Sequence, residues 1–331
     1  FSWGFNEGSH GEAVHARAVA GHLGPEHPEL YPSPAEAREI IPSLPDWYDE
    51  PFADSSEIPT HLVARLARQE VTVTLSGDGG DEMLGGYVRH QAIPALWRRA
   101  GWWPQPVRNM VSRGIHKIPI ESWDKLARHR PQFGEKIYKV ADILPLRTME
   151  DIYIHVMSRW ANPASIVRDG REPLIALHDP SWLPRDLTFA ERMMYGDALS
   201  YLPDDILVKV DRASMAVALE GRAPLLDYRV FEFCWGLALD PRIRGGQGKW
   251  LLRQVLGRHV PAHLFDRSKQ GFTVPVGDWL RGPLRDWAHD LLNPRRLEEQ
   301  GLLNPAPVGA AWQGHLSGHG NHAHRLWTVL V

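Results

Sequence analysis

One stretch constrains this chain more than any other: VTVTLSGDGGDEMLGGY, residues 71–87. Its β-branched start, 71–75, reads as a short strand. The run breaks at Ser76 into a loop holding Gly77, Gly79 and Gly80, which let a backbone turn tightly and approach a ligand. Upstream, Ile58, Leu62, Val63 and Leu66 recur at helical spacing, with Pro59 near their start. A helix, a strand, a glycine loop and a further helix make an α/β unit. Open α/β sheets of this kind bind ligands at the carboxyl ends of their strands.

Glycine loops after strands commonly hold phosphate, yet this one carries Asp78, Asp81 and Glu82 and lacks the lysine of a Walker-type loop. Carboxylates repel a polyphosphate unless a hard cation lies between them. Mg²⁺, which takes one or two carboxylates plus phosphate oxygens, resolves the conflict. The structural alternative stays open: Asp-Gly is a common turn, and Asp81-Glu82 suits the start of a helix.

A second constellation is YLPDDILVKVDRASMAVALEGRAPLLD, residues 201–227. Asp204 reads as an N-cap, and Gly221 with Pro224 as the stop of the helix. At helical spacing Asp211 falls in line with Leu207, Ser214, Met215 and Ala218, an apolar stripe in which a carboxylate is costly without a partner. Lys209, Arg212, Arg222 or a metal could supply it, and an internal salt bridge remains the plain alternative. In a third stretch, Gly248-Lys249 fails as a Walker motif because Trp250 stands at the Ser/Thr position. Lys269 is the better phosphate-binding candidate there.

Elsewhere the signals are ordinary. Residues 12–23 read as a helix stopped by Gly24. Ser33-Pro34-Ala35-Glu36 is a capping box opening a helix to about Leu44. Residues 91–185 read as irregular and helical, and the chain from Leu187 as strongly helical. With 37 basic and 40 acidic residues, nothing marks a nucleic-acid or membrane-surface binder. The single cysteine, Cys234, excludes an internal disulfide, fits a reducing cytoplasm, and sits in an apolar stretch that suits packing. No apolar run approaches the ~20 residues of a membrane span. The histidines at 315, 319, 322 and 324 read as solvated loop residues.

Taken together, YDEPFADSSEIPT, LSGDGGDEMLGGY, the 201–227 stretch, GKWLLR and DRSKQGFTVPVGDWLRGPLRDW resemble, in order and spacing, the synthetase domain of glutamine-hydrolysing asparagine synthetases. The resemblance covers nearly the whole chain. It implies an adenine-nucleotide α-hydrolase (PP-loop) fold, with 1–90 a partial nucleotide-binding region and 91–331 the mostly helical remainder of one domain. It implies ATP and Mg²⁺, adenylation of the aspartate side chain, and attack by ammonia to give asparagine, AMP and pyrophosphate. Ser76 and Gly77 match positions at ATP. Asp78 matches an acid at the intermediate and Asp81 a Mg²⁺–pyrophosphate ligand. Asp211 matches a catalytic-site acid and Lys269 a lysine at the transferring phosphorus. These groups are expected to line one cleft. A homodimer of the full-length protein is the assembly the resemblance allows.

The departures carry expectations too. The Ser-Gly-Gly-x-Asp-Ser loop and the glutaminase domain with its leading cysteine are not in this chain, and Cys234 cannot replace that cysteine. Both ends read as cut, so the chain reads as a fragment that is inactive in isolation. Gly221, where the family often has alanine, is expected to loosen a helix end. A related PP-loop enzyme acting on another carboxylate and a non-catalytic remnant are the rival readings.

Overall fold

The computed structural model describes residues 1–3, 12–24, 26–127, 133–173, 183–184, 186–266, 274–318 and 320–331. The chain forms two compact units. One comprises 1–87, 194–275 and 331, and the other 88–193 and 276–330.

In the first unit, β1 (Ser2–Trp3) pairs in parallel with β2 (Glu29–Leu30). Between them α1 (Glu12–Leu23) ends where Gly24 takes φ 82° and its N–H returns to Ala20 O at 2.8 Å. That left-handed stop is the one the sequence predicts. The capping box forms as expected: the Glu36 N–H donates to Ser33 Oγ, and Glu36 accepts from the Ser33 N–H at 2.7 Å. Its helix, α2 (Pro34–Arg38), is shorter than expected. Pro42 has no N–H to offer Arg38 O and its ring crowds that carbonyl, so a 3₁₀ turn (Ile41–Ser43) and a short α3 (Leu44–Trp47) follow instead. The amphipathic α4 (Glu57–Arg68) buries Ile58, Leu62, Ala64 and Ala67.

β3 (Val73–Leu75) pairs in parallel with β4 (Glu220–Arg222), in the register Val73↔Glu220, Thr74↔Gly221, Leu75↔Arg222. The parallel sheet is therefore smaller than the sequence suggests, and β3's partner comes from 147 residues downstream, counting Val73 to Glu220. Val73 and Leu75 are exposed, although parallel strands ordinarily have both faces covered. β3 is followed by α5 (Gly80–Leu84). The hairpin of β5 (Ile243–Arg244) and β6 (Gln247–Gly248) turns on Gly245 and Gly246, both at positive φ as a two-residue hairpin requires.

The 201–227 segment corrects two expectations. Asp204 caps nothing: it lies inside a π-helical stretch, Asp197–Leu207, which leads directly into the α-helix Val208–Met215. Gly221 ends no helix, being the middle residue of β4, and a Cβ there would meet only Val210 Cγ1 at 3.8 Å. Cys234 packs beside Met83 and Leu84, as its apolar surroundings suggest.

The second unit is helical. Ile93, Ile152, Tyr153 and Met193 form a core flanked by Trp97, Ile143 and Phe189. Towards the carboxyl end, Trp279, Leu280, Trp312, Leu326 and Trp327 are buried on the helices Val276–Arg281, Pro305–Leu316 and Ala323–Leu330. His315 corrects the expectation of a solvated loop. It is fully buried on a helix, with Nε2 3.1 Å from Gly277 O, and burial pushes its pKa down. His319 lies outside the described residues. Among the described residues no helix is long and apolar enough to cross a membrane.

Candidate functional site

The acidic loop begins where β3 ends. The Ser76 N–H still donates to Arg222 O at 2.8 Å, carrying the ladder one bond past the strand. Its hydroxyl donates to Asp78 Oδ2 at 2.8 Å. The three loop glycines divide into two kinds. Gly79 takes φ 87°, and a Cβ there would lie 2.3 Å from Leu226 Cδ2; one on Gly80 would lie 2.9 Å from Leu225 Cδ1. Both are small because the loop seats closely on the 224–226 turn. Gly77 is exposed with open space around it, so it has room for a ligand beside its backbone.

Asp81 stands in the first turn of α5, its Oδ2 2.9 Å from Lys249 Nζ. Close backbone packing brings this lysine in. A Cβ on Gly248 would lie 2.1 Å from Gly85 O, and the Lys249 N–H donates to Leu84 O at 2.7 Å. A Cβ on Gly86 would lie 2.0 Å from Asp81 Oδ1 and 2.4 Å from Lys249 Cε. Lys249 itself takes φ 54°, a left-handed conformation that costs a non-glycine residue on the order of 1 kcal/mol. The sequence reading sets Gly248-Lys249 aside as a failed Walker motif. Its position beside the acidic loop depends on a long-range contact, for which the only local signal is the Gly-Gly hairpin just before it.

Glu82 has a different role from its neighbour. It is buried, accepts a hydrogen bond from the Tyr87 hydroxyl at 2.5 Å, and its carboxyl is pushed up by burial against that bond. Tyr87 is in turn pushed up by burial and by Glu82, and its ring meets Tyr201 edge-on at 5.6 Å.

Asp211 is exposed, which corrects its placement in an apolar stripe. The buried face of its helix carries Lys209, Ala213 and Ser214, while Met215 is exposed with it. The reason is polar. Lys209 Nζ donates to Asp54 Oδ2 and Ser56 Oγ, each at 2.8 Å, and this draws that face inward. The other candidate partners are also engaged elsewhere: Arg212 with Asp49, and Arg222 with Glu220 at 2.7 Å. The Asp211 carboxylate bonds none of the described residues.

Lys269 lies outside the described residues. Asp211 is linked to the acidic loop through the β3–β4 ladder, by way of the chain that runs from its helix into β4. Among the described residues no three His, Cys, Asp or Glu side chains group to hold a metal ion. A Mg²⁺ shared with phosphate needs only one or two carboxylates, and the partly exposed Asp81 fits that lesser demand.

The sequence model of the asparagine synthase family matches residues 1–331. A putative glutamine-hydrolysing asparagine synthetase of Mycobacterium tuberculosis (strain H37Rv) is 32% identical over 346 residues, covering 100% of this chain and 49% of its own length. The glutamine-hydrolysing asparagine synthetase 1 of Bacillus subtilis (strain 168) is 27% identical, covering 100% of this chain and 50% of its own length. A putative glutamine-hydrolysing asparagine synthetase 2 of Methanocaldococcus jannaschii is 43% identical over 90 residues, 27% of this chain and 17% of that protein. The chain thus spans about half the length of the relatives that it matches from end to end.

Proposed function

The chain belongs to the asparagine synthase family, and on that premise we propose that it is the carboxylate-activating part of a glutamine-hydrolysing asparagine synthetase. One observation carries the reading. The two motifs that resemble the family's catalytic segments, separated widely in sequence, are stitched edge to edge by the parallel β3–β4 ladder and the Ser76–Arg222 bond.

In this reading, ATP lies beside Ser76 and Gly77, where the backbone is open. A side-chain carboxylate oxygen of aspartate attacks the α-phosphorus, and pyrophosphate leaves. Ammonia then attacks the acyl carbon of the adenylate; AMP leaves, and the surplus proton passes to a carboxylate. Asp78, held by the Ser76 hydroxyl, and the exposed Asp211 are the acids available near this chemistry. Asp81 would hold a Mg²⁺, which would supply charge neutralisation at the departing pyrophosphate. Lys249 pairs with Asp81, and Lys269 is assigned to the transferring phosphorus on its sequence match alone. A site of this kind works by placing fixed charges where negative charge develops. The setting is the cytoplasm, where ATP and aspartate are at hand.

The test is pyrophosphate release with ATP, Mg²⁺ and ammonia, with aspartate present or withheld. It is run on residues 1–331 and on the full-length polypeptide that carries them. Aspartate-dependent release by the full-length protein, lowered by D81A on the order of 10²–10³-fold, is expected, with weak or no turnover from residues 1–331. Release that ignores aspartate but responds to another carboxylate would assign a different acceptor. Release by neither would refute the reading.

A further inference from the structure

The YDEPFADSSEIPT motif has no part in the chemistry above, yet it contacts the Asp211 helix at two points. We propose that the 49–56 loop is a clamp that sets the rotation of the Val208–Met215 helix, and so aims the Asp211 carboxylate; Lys209, Arg212, Asp49 and Asp54 are positioning residues. The proposal rests on the reading that Asp211 takes part in the reaction.

The geometry of an α-helix makes the case. At 100° per residue, Asp211 lies about 200° around the axis from Lys209 and about 100° from Arg212. A single strut to the helix would fix a distance and leave rotation free. Two struts from different angles fix rotation, and rotation decides where Asp211 points. Lys209 is the inward strut, 8% exposed, and bonds Asp54 and Ser56. Arg212 is the lateral strut, on Asp49. A third contact limits tilt: His61 Nδ1 of α4 lies 3.2 Å from Ala213 O, and its ring stacks on Trp47 at 3.9 Å.

The loop is itself braced. The Ser56 N–H donates to Asp54 Oδ1 at 3.0 Å and its hydroxyl to Asp54 Oδ2 at 2.8 Å. The Tyr48 and Phe52 rings stack 3° from parallel at 4.7 Å. Burial alone would raise the Asp54 carboxyl, but the Lys209 ammonium and the Ser56 donors together hold it below the usual carboxylate range.

The chain has a reason to need such a device. The helix is entered from the π-helical stretch Asp197–Leu207, which contains Pro203. A regular α-helix would hand its angular phase to the next turn; a π-wound stretch shifts that phase. The loop contacts then hold the phase that results. Stability alone explains the buried pair poorly, since well-packed apolar residues commonly serve as well there.

The experiment is a double-mutant cycle in the full-length polypeptide, reading kcat for pyrophosphate release and, separately, the melting temperature. D211A is crossed with K209M and with D49N; D49N tests the exposed strut and keeps the cycle available should K209M not fold. D211A is expected to lower kcat strongly. K209M is expected to lower kcat by roughly tenfold to a hundredfold where Asp211 is present, as misplacement of a reacting group does, and to add nothing in the D211A background. D49N should follow the same pattern with a smaller effect. Losses that multiply, or K209M and D49N variants that change only the melting temperature, would overturn the clamp while leaving the role of Asp211 standing. A D211A variant that turns over like the parent would remove the role of Asp211 and the clamp with it.

Discussion

The acidic loop and the Asp211 helix hold their carboxylates in opposite ways. Asp81 is gripped directly: its own oxygen meets Lys249, and glycines at 86 and 248 let the two backbones come close enough. Asp211 is held at one remove, its carboxylate exposed while the cations on either side of it, Lys209 and Arg212, bind the 49–56 loop. An ion pair serves a different end in each place. At Asp81 the lysine neutralises a charge that would otherwise face other acids. At Asp211 the pairs orient a helix and leave the charge open.

K209M leaves Asp54 buried without its cation and is expected to lower stability by about 3–5 kcal/mol. K249M, at a pair that water reaches, is expected to cost about 1 kcal/mol or less while harming turnover. Equal losses in denaturant melts of the two variants would erase the distinction. Next in size is the glycine packing. G248A pushes a methyl into Gly85 O, an overpacking expected to cost about 1–3 kcal/mol. Urea titration measures it, and a neutral result would show that the hairpin gives way freely.

Acid should weaken the helix clamp in two stages. Burial lowers the pKa of His61 below its ordinary 6.5, against the pull of the Ala213 carbonyl. The unfolded chain therefore binds that proton more readily, and stability falls as pH drops from 6.5 through the lowered value. Asp54 is lowered from 3.8 to about 2, so its contribution is present above pH 3.8 and lost as pH falls towards 2. Melting temperatures across pH 7 to 2 should show both declines; H61N should remove the first, and D54N the second. The smallest effect belongs to D49N and R212Q. Their pair is solvent-exposed, and each should change stability by no more than about 1 kcal/mol, so any sizeable change in turnover reports orientation.

Much of this was legible where the signal is local. Gly24 stops α1, and Ser33 with Glu36 caps α2, because each acts within four residues. Pro42 is an equally local signal, and it ends α2 well short of the Leu44 to which the capping box alone would point. Asp211 departs from its periodicity for a different reason. Periodicity ranked Leu207 and Met215 as its inward neighbours, but the inward face was decided by Lys209 finding Asp54 across 155 positions. Gly221 looked like a helix stop because nothing near it announces a strand; its partner is Thr74.

The chemistry on offer is written along the chain: a strand, an acidic glycine loop, an aspartate helix, and a motif order that identifies the family. These depend on residue types and short spacings, which the chain carries in itself. Which cation meets which acid is settled by the fold. Lys249 reaches Asp81 because Gly86 and Gly248 permit an approach no side chain would allow, and Lys209 turns Asp211 outward because a buried ammonium must find its carboxylate. Charges choose partners by distance in space, and distance in space is what a linear sequence does not contain.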